Sequence, residues 1–213
     1  MNQRTTSATS LSLYSSCILP TAYGTFKCSV YRNEFHSECM TLSLGHLNQN
    51  DSCSPVLTRI HSSCLTGETL GSLKCECGQQ LQEALYQIAQ RGRGILIYLF
   101  QEGRGIGLGD KIRAYHLQNQ GMDTVDANRQ LGLDDDLREY QDALSILNLL
   151  GIQTIDLMTN NPLKIQALEK GGVHINSRIP IEVGLHPCNR HYLETKHQRM
   201  GHLISESFLS ASS

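Results

Sequence analysis

The chain contains 213 residues, of which 39% are hydrophobic and 18% charged, and its formal net charge is −2. This length and composition are typical of a soluble globular protein with a substantial hydrophobic core. The near-neutral charge argues against a broad nucleic-acid surface, and the sequence has neither an apolar run long enough for a membrane span nor the apolar segment of a signal peptide. We therefore expect a cytoplasmic protein without nucleic-acid or membrane partners.

The first half of the chain predicts short strands followed by a strand–helix–strand unit. We expect residues 1–16 to form a disordered or loosely packed arm. Alternating and β-branched residues then predict strands over 25–32, 39–45 and 55–60. An amphipathic pattern predicts a helix over 78–91, and the apolar run 94–100 predicts a buried strand.

The second half alternates helices with strands. The pattern predicts helices over 110–120 and 134–150, a strand over 154–158, a helix that starts at Pro162 with Asn161 as its N-cap, an extended segment over 173–183, and a helix over 190–204. A flexible tail over 205–213 follows. This order predicts an α/β fold with an α+β tendency at the N-terminus, in which a mixed sheet with flanking helices forms a single domain over 17–204.

Three of the eight cysteines, Cys64, Cys75 and Cys77, lie within fourteen residues at the start of a predicted helix. In a chain without a signal peptide, this spacing favours a metal site over disulfides. It lacks both the paired knuckles of a structural zinc ribbon and the signature of zinc base deaminases. Three ligands leave the fourth tetrahedral position open, which is typical of catalytic zinc. We interpret three other cysteines as small buried hydrophobic residues: Cys17, Cys28 and Cys39.

Polar residues follow the predicted strands at their C-terminal ends, where open α/β sheets bind ligands. Each group has a structural alternative. Lys164, beside the helix start at Pro162, is a phosphate ligand or a solvated lysine. The loop 102–104 is a nucleotide contact or a surface ion pair, Asp136 and Arg138 are functional or cap a helix, and Tyr115 is catalytic or packs in the core.

Seven short motifs occur in order between residues 20 and 203: Arg59-x-His61-Ser62-x-Cys64, Cys75-x-Cys77-Gly, Gln101-Glu-Gly-Arg104, Lys111-Ile-Arg-Ala-Tyr115, Asp123-Thr-Val-x-Ala-Asn128, Leu157-x-Thr-Asn-Asn-Pro162 and Lys196-x-x-x-Met-Gly-His202. With these motifs the chain resembles the GTP cyclohydrolase II family. The sequence departs from the family pattern at two positions: Ser63 stands where many members have Glu, and Glu68 where many have Asp.

The resemblance implies hydrolysis of GTP at guanine C8 with release of formate and pyrophosphate. The product would be 2,5-diamino-6-ribosylamino-4(3H)-pyrimidinone 5′-phosphate, in the first step of riboflavin biosynthesis. It also implies a homodimer, one Zn²⁺ per subunit on the three clustered cysteines, and Mg²⁺ with the triphosphate. The residues expected to hold GTP are Arg59, Ile60, His61, Ser62, Ser63, Gln80, Glu102, Gly103, Arg104, Thr124, Thr159 and Lys164.

By the same resemblance, Asp136 would be the proton acceptor, Arg138 would act at the α-phosphate, and Tyr115 would assist at the purine. Some accounts of the family make the arginine a nucleophile. A guanidinium has no free lone pair, so we favour charge stabilisation for Arg138. Because zinc on three thiolates is formally −1, its water needs a nearby partner, and we hypothesise that Tyr115 or His61 supplies it.

Two other functions stay open from the sequence. A variant enzyme would stop at the ring-opened formamidopyrimidine, although Tyr115 argues for the complete reaction. A non-catalytic guanine-nucleotide or zinc-dependent regulatory module is the alternative from another class, and the co-occurrence of the thiols with Asp136, Arg138 and Tyr115 argues against it.

Overall fold

The computed structural model describes residues 11–48, 54–134 and 136–211. Within them, seven strands form one sheet in the order β1-β2-β3-β5-β4-β6-β7. The strands are β1 Ser12–Thr21, β2 Gly24–Arg32, β3 Glu38–Leu44, β4 Val56–Ser62, β5 Gly94–Leu99, β6 Thr154–Met158 and β7 His174–Ile179. The helices are α1 Leu65–Glu68, α2 Cys77–Arg91, α3 Gly107–Asn119, α4 Thr124–Gln130, α5 Gln141–Leu149, α6 Pro162–Lys170, α7 Arg190–Met200 and α8 Glu206–Ser210.

The sheet is mixed, which confirms the predicted fold class. Strands β1, β2, β3 and β5 pair antiparallel, whereas β5, β4, β6 and β7 pair parallel. The C-terminal ends of parallel strands meet at the same edge of a sheet. Strands β4, β5 and β6 therefore end on the same side of the sheet, and the segments that follow Ser62, Leu99 and Met158 lie close together there.

Helices cover both faces of the central strands. On one face, Ile95 and Ile97 of β5 pack with Ile146 and Leu147 of α5. On the other face, Leu96 packs with residues of α2, among them Ala84, Leu85 and Ile88. Burial on both faces explains why β5 is continuously apolar instead of alternating. This rigid centre carries the loops at the sheet edge.

The structure differs from the predictions at the N-terminus. Strand β1 begins at Ser12, inside the segment that we expected to be a loosely packed arm, while residues 1–10 of that arm lie outside the described residues. Along β1 the side chains from Ser12 to Pro20 are exposed, so the strand has no buried face to produce a period-two pattern. Cys17 is exposed and Cys28 is half-buried, so the interpretation as buried residues is correct for Cys39 and wrong for Cys17.

The largest difference concerns the predicted helix over 134–150. The observed helix α5 starts only at Gln141. Before it, the backbone N–H of Leu137 donates to the carbonyl of Arg104 at 3.0 Å, and the side chain of Asp136 accepts from Arg138 N at 3.1 Å. These contacts replace helical hydrogen bonds, so residues 136–140 are not helical and contact the loop after β5.

Smaller differences occur in the later helices. Helix α4 was not predicted, although its N-cap Asp123 accepts hydrogen bonds from two backbone N–H groups. Helix α7 ends at Met200 instead of 204, because Gly201 adopts the left-handed conformation with φ 65°. The tail predicted as flexible contains α8.

The described parts of the chain contain no helix that combines the length and the apolar character needed to cross a membrane.

Candidate active site

A pocket opens at the sheet edge where β4, β5 and β6 end. It gathers sixteen of the residues predicted from the sequence to hold metal or substrate or to act in the reaction: Arg59, His61, Ser62, Ser63, Cys64, Cys75, Cys77, Gln80, Glu102, Gly103, Arg104, Tyr115, Thr124, Arg138, Thr159 and Lys164. Two predicted residues do not line it. Ile60 is fully buried in the core, and Asp136 lies behind Arg138, to which it is bonded.

The three clustered thiols meet at the junction of α1 and α2. Their sulfur atoms all lie within 4.8 Å of one another, and Cys64 Sγ is 3.6 Å from Cys75 Sγ. Gly67 makes this approach possible, since a Cβ there would lie 2.8 Å from Cys75 Sγ and 3.2 Å from Cys64 Sγ. Tetrahedral Zn–S bonds of about 2.3 Å place sulfur atoms roughly 3.8 Å apart, so the cluster fits a zinc ion.

The electrostatics of the cluster favour a thiolate at Cys64. Hydrogen bonds from the Cys75 and Cys77 thiols, and then Lys111, hold the pKa of Cys64 well below its ordinary value. The pKa of Cys75 is raised to about 11, first because its thiol bonds to Cys64. The first proton therefore leaves from Cys64, and a cation at the centre would be needed to hold all three as thiolates.

Lys111 is a cation in direct contact with the thiol cluster. Its Nζ lies 3.1 Å from Cys64 Sγ and 2.7 Å from Glu102 Oε1, and the residue is 8% exposed. Glu102 in turn accepts from the backbone N–H of Leu65 at 2.7 Å. Lys111 offsets negative charge on the thiolates and ties α3 to the loop after β5. From the sequence, Lys111 was recognised only as the first residue of the motif that ends at Tyr115, and its contact with Cys64 was not predicted.

The carboxylate of Glu68 holds His61 in place. In the sequence, Glu68 stood out only because many family members have Asp at this position. His61 Nε2 lies 2.9 Å from Glu68 Oε1, and the hydroxyl of Tyr98 donates to Glu68 Oε2 at 2.6 Å. Burial lowers the pKa of His61, so the ring is neutral, and its Nε2–H donates to the Glu68 carboxylate. His61 Nδ1 is buried and has no hydrogen-bond partner within the described residues. This nitrogen is available to accept a proton or a hydrogen bond.

Two buried cations lie where β4 and β6 end. Arg59 donates to Gln80 Oε1 at 2.7 Å and to the carbonyl of Met158 at 3.0 Å. Lys164 is 4% exposed and donates to the carbonyl of Ile60 at 2.7 Å. Burial, and then Arg59 and Arg138, lower the pKa of Lys164. The structure thus rejects the solvated lysine and leaves a cation that an anionic ligand would stabilise.

Asp136 and Arg138 form a bidentate ion pair. Arg138 Nε donates to Asp136 Oδ1 at 2.8 Å, and Nη2 donates to Oδ2 at 2.6 Å. Although burial opposes ionisation, this pairing lowers the pKa of Asp136 and raises that of Arg138. Because α5 starts at Gln141, the helix-capping alternative does not hold. Arg138 is a fixed cation at the pocket wall, and Asp136 orients it.

The loop after β5 places Arg104 in a strained conformation. Gly103 and Arg104 both have positive φ, at 63° and 61°. For a residue with a side chain this backbone costs about 1–2 kcal/mol, and such strain is concentrated at functional sites. Arg104 Nη2 lies 3.3 Å from the hydroxyl of Tyr192.

Tyr115 is partly exposed and lines the pocket beside the thiol cluster, so it does not lie wholly in the core. Lys74 and Lys111 lie 5.3 Å and 5.6 Å from its ring centroid. Burial, and then the nearby Cys75, raise the pKa of Tyr115, so its phenol is protonated at neutral pH and can donate a hydrogen bond.

Comparison with known sequences identifies the family to which this chain belongs. A sequence profile described as GTP cyclohydrolase II matches residues 13–180. The chain belongs to the GTP cyclohydrolase II family. The GTP cyclohydrolase-2 of Neisseria meningitidis serogroup C is 51% identical over 191 residues, covering 90% of this chain and 95% of the relative.

Two further members of the GTP cyclohydrolase II family are similarly related. Those from Hahella chejuensis and Tolumonas auensis, both named GTP cyclohydrolase-2, are 50% and 48% identical, covering 92% of this chain and 94% and 99% of the relatives. Among solved structures, RibBX from A. baumannii, a two-domain 3,4-dihydroxy-2-butanone 4-phosphate synthase, matches 79% of this chain and 40% of its own, with a TM-score of 0.46 and 17% identity.

Proposed function

We propose that this chain hydrolyses GTP at guanine C8 with the help of zinc and releases formate and pyrophosphate. The product is 2,5-diamino-6-ribosylamino-4(3H)-pyrimidinone 5′-phosphate, which starts riboflavin biosynthesis. Membership of the GTP cyclohydrolase II family supports hydrolysis of GTP. The observation that carries the finer proposal is the meeting of the three-thiol cluster, Tyr115 and several buried cations in one pocket.

Cys64, Cys75 and Cys77 would hold the zinc ion. When bound, such an ion acts as a Lewis acid that lowers the pKa of water next to the purine. Lys111 contacts the Cys64 sulfur, so it reduces the electron donation of the thiolates to the metal. The positive charge of Lys111 therefore offsets the formal charge of −1 that zinc and three thiolates would carry together.

His61 and Tyr115 complement each other as proton acceptor and donor. The Glu68 carboxylate fixes the tautomer of His61 and leaves Nδ1 without a proton, so His61 can accept one. The protonated phenol of Tyr115 can donate to the purine or to the departing formyl group. We propose both as partners at C8, which refines the choice between them that the sequence left open.

The buried cations of the pocket would receive the triphosphate. Arg59 and Lys164 lie at one wall and Arg138 at another, in a chain whose net charge is only −2. Arg138 would stabilise charge during pyrophosphate loss, with Asp136 orienting it instead of taking up a proton while the pair is intact. Mg²⁺ would travel with the triphosphate, and the hydroxyls of Ser62, Ser63, Thr124 and Thr159 are polar groups available to the nucleotide.

Purified protein incubated with GTP tests the proposal. We expect a change in the ultraviolet spectrum, equal amounts of formate and pyrophosphate, and about one zinc ion per chain. Serine at positions 64, 75 and 77 should abolish formate release and zinc binding together. Unchanged turnover by that variant would refute the zinc-dependent mechanism.

The same assay distinguishes the two alternatives. Pyrophosphate without formate would indicate an enzyme that stops at the formamidopyrimidine. Tight GTP binding without any product would indicate a regulatory module.

A homodimer and a cytoplasmic location are further parts of the proposal. The described cysteines other than those of the thiol cluster are also free thiols, which suits a reducing compartment. Sedimentation equilibrium of the purified chain tests the dimer, and a molecular mass near 23.7 kDa would contradict it.

A further inference from the structure

The C-terminal segment forms one wall of the pocket, although the family profile ends at residue 180. Helix α7 contributes Tyr192 and Lys196 to the wall, and His202 follows the left-handed turn at Gly201. The segment is fixed to the sheet edge, because the backbone N–H of Leu203 donates to the carbonyl of Asn160 at 2.8 Å. In the sequence this region stands out only through the motif Lys196-x-x-x-Met-Gly-His202, which by itself indicates no function.

Lys196 is a cation whose side chain is 11% exposed and reaches toward the thiol cluster. Its Nζ lies 2.5 Å from Oε1 of Glu76, the residue between Cys75 and Cys77. The same Nζ lies 4.4 Å from the ring centroid of Tyr192. An ammonium group has three donors, and the carboxylate uses one of them. Lys196 therefore retains donors for a ligand in the pocket.

His202 is a buried polar side chain without a partner at one ring nitrogen. The residue is 9% exposed, and its Nδ1 is buried and unbonded within the part of the chain that the structure describes. The charged groups that act on the ring most strongly are all cationic, namely Lys196, Arg138 and Arg104. Four carboxylates lie near this wall in the described residues: Glu76 and Asp136 are each paired with one of these cations, Glu102 is paired with Lys111, and Glu182 accepts hydrogen bonds from Ser205.

Two of these cations, Lys196 and Arg138, are paired with carboxylates, whereas Nδ1 of the neutral His202 ring is buried without a partner in the described residues. An anion with several oxygen atoms would accept from the remaining donors of Lys196 and give His202 Nδ1 a partner. A phosphate group has this chemistry, and the nucleotide of the proposed reaction carries three of them.

We propose that Lys196 and His202 form a phosphate-binding subsite for the triphosphate of the nucleotide. This inference rests on the proposed function and adds two ligands from outside the region matched by the family profile. Because Lys196 also neutralises Glu76 beside the zinc ligands, the subsite couples the position of the triphosphate to the metal end of the pocket.

Substitution of His202 by Leu tests the subsite with the fold otherwise intact, since the backbone bond from His202 N to Lys196 O does not involve the side chain. A charged or charge-assisted contact is worth about 1.5–3 kcal/mol, so we expect KM for GTP to rise roughly 10- to 100-fold. We expect kcat to change less than KM, and zinc content and guanosine affinity to stay as in the wild type. His191→Leu is the matched control, because His191 lies at the start of α7, the helix that precedes His202, and its side chain is exposed.

Substitution of Lys196 separates a ligand from a structural partner of Glu76. Lys196→Met alone leaves a buried carboxylate unpaired, so the test uses Lys196→Met combined with Glu76→Gln. We expect the double variant to bind a non-hydrolysable GTP analogue at least tenfold more weakly than Glu76→Gln alone, and Lys196→Arg to recover part of the loss. Equal affinity of the double variant and Glu76→Gln, or equal losses for guanosine and the analogue, would overturn the subsite.

The outcome for the subsite is separable from that for the reaction. If the wild type binds GTP without hydrolysing it, the proposed reaction fails, and the same affinities still decide the subsite. If it does not bind GTP at all, inorganic triphosphate is the probe. Binding that is lost on His202→Leu supports the subsite, and absence of binding to the wild type overturns it.

Discussion

Gly67 shows how a residue without a functional side chain shapes a candidate metal site. It lies in α1 between Cys64 and Cys75 in sequence and packs against both sulfur atoms. A β-carbon at this position would approach Cys75 Sγ to 2.8 Å, closer than real side chains come, so the thiols or the helix would have to move. A side chain at this position would therefore disturb the geometry of the thiol cluster more than it would destabilise the fold.

We expect Gly67→Ala to weaken zinc binding by about 10- to 100-fold, the usual effect of disturbing groups that support metal ligands. Competition with a chromophoric chelator measures the affinity. The control is Gly109→Ala in α3, because a β-carbon there meets nothing within 4 Å. If both variants bind zinc as tightly as the wild type, the contact with Gly67 does not shape the site.

The residues of the site that the sequence revealed are those with a short, unusual spacing. Cys64, Cys75 and Cys77 could be recognised because three thiols rarely lie so close without a ligand. Lys111 and Glu68 could not, because a single Lys or Glu is normally at the surface, and only the fold shows that these two are buried against Cys64 and His61.

At the scale of elements, a tight contact joins the loop after β5 to the segment before α5. A β-carbon on Gly105 would lie 3.0 Å from Leu137 Cβ and 3.1 Å from its carbonyl carbon and oxygen. The hydrogen bond from Leu137 N to Arg104 O crosses the same contact. Arg104 and Arg138, the residues on either side, are therefore positioned together.

We expect Gly105→Ala to lower kcat/KM for GTP by at least about tenfold, since it separates Arg104 from Arg138, and to leave zinc content unchanged. Gly107→Ala is a matched control. Gly107 also has a positive φ, 85° against 93° for Gly105, but a β-carbon there meets nothing within 4 Å. Both variants therefore carry backbone strain of about 1–2 kcal/mol, but only Gly105→Ala adds a steric conflict with Leu137. Equal activity of the two variants would mean that the contact does not position the arginines.

The elements that periodicity predicted well are those buried on a defined face. The helix over 78–91 matches α2 to within one residue, and the strand over 154–158 matches β6. Periodicity failed where tertiary contacts compete with it. Residues 136–140 have helix-like spacing, yet the bonds to Arg104 and within the Asp136–Arg138 pair hold them outside α5.

At the scale of the whole molecule, buried histidines make stability depend on pH. The pKa of His202 falls to about 3, first through burial and then through Lys196 and two arginines, and burial also lowers that of His61. Between pH 6.5 and about 3 the unfolded chain therefore binds protons that the folded chain does not. Stability is complete above this range and is lost as the pH falls through it.

We expect the free energy of unfolding to fall by up to about 1.4 kcal/mol per pH unit for each such histidine. Urea titrations at pH 7.5, 6 and 5 measure this slope. His202→Leu should flatten it, whereas His191→Leu, with an exposed ring, should not. The comparison is between variants, so any acid release of zinc affects both alike. Identical slopes for the two variants would show that His202 does not carry the effect.

Nucleotide binding should raise the pKa values that burial and neighbouring cations lower in the free protein. In the absence of a ligand, burial and neighbouring cations lower the pKa of His202 to about 3, so its ring is neutral, and burial followed by Arg59 and Arg138 also lowers the pKa of Lys164. A bound triphosphate favours their charged forms and raises both pKa values, and the protein must take up protons on binding.

Calorimetric titration with a non-hydrolysable GTP analogue, in two buffers of different ionisation enthalpy, measures that uptake. We expect a positive number of protons at pH 7, a smaller uptake in Lys164→Met and His202→Leu, and no comparable change in His191→Leu. Guanosine lacks phosphates and should cause no such uptake. If proton uptake with the analogue is zero, or equals that with guanosine, then the buried cations do not face the triphosphate, and the nucleotide lies in the pocket in another orientation.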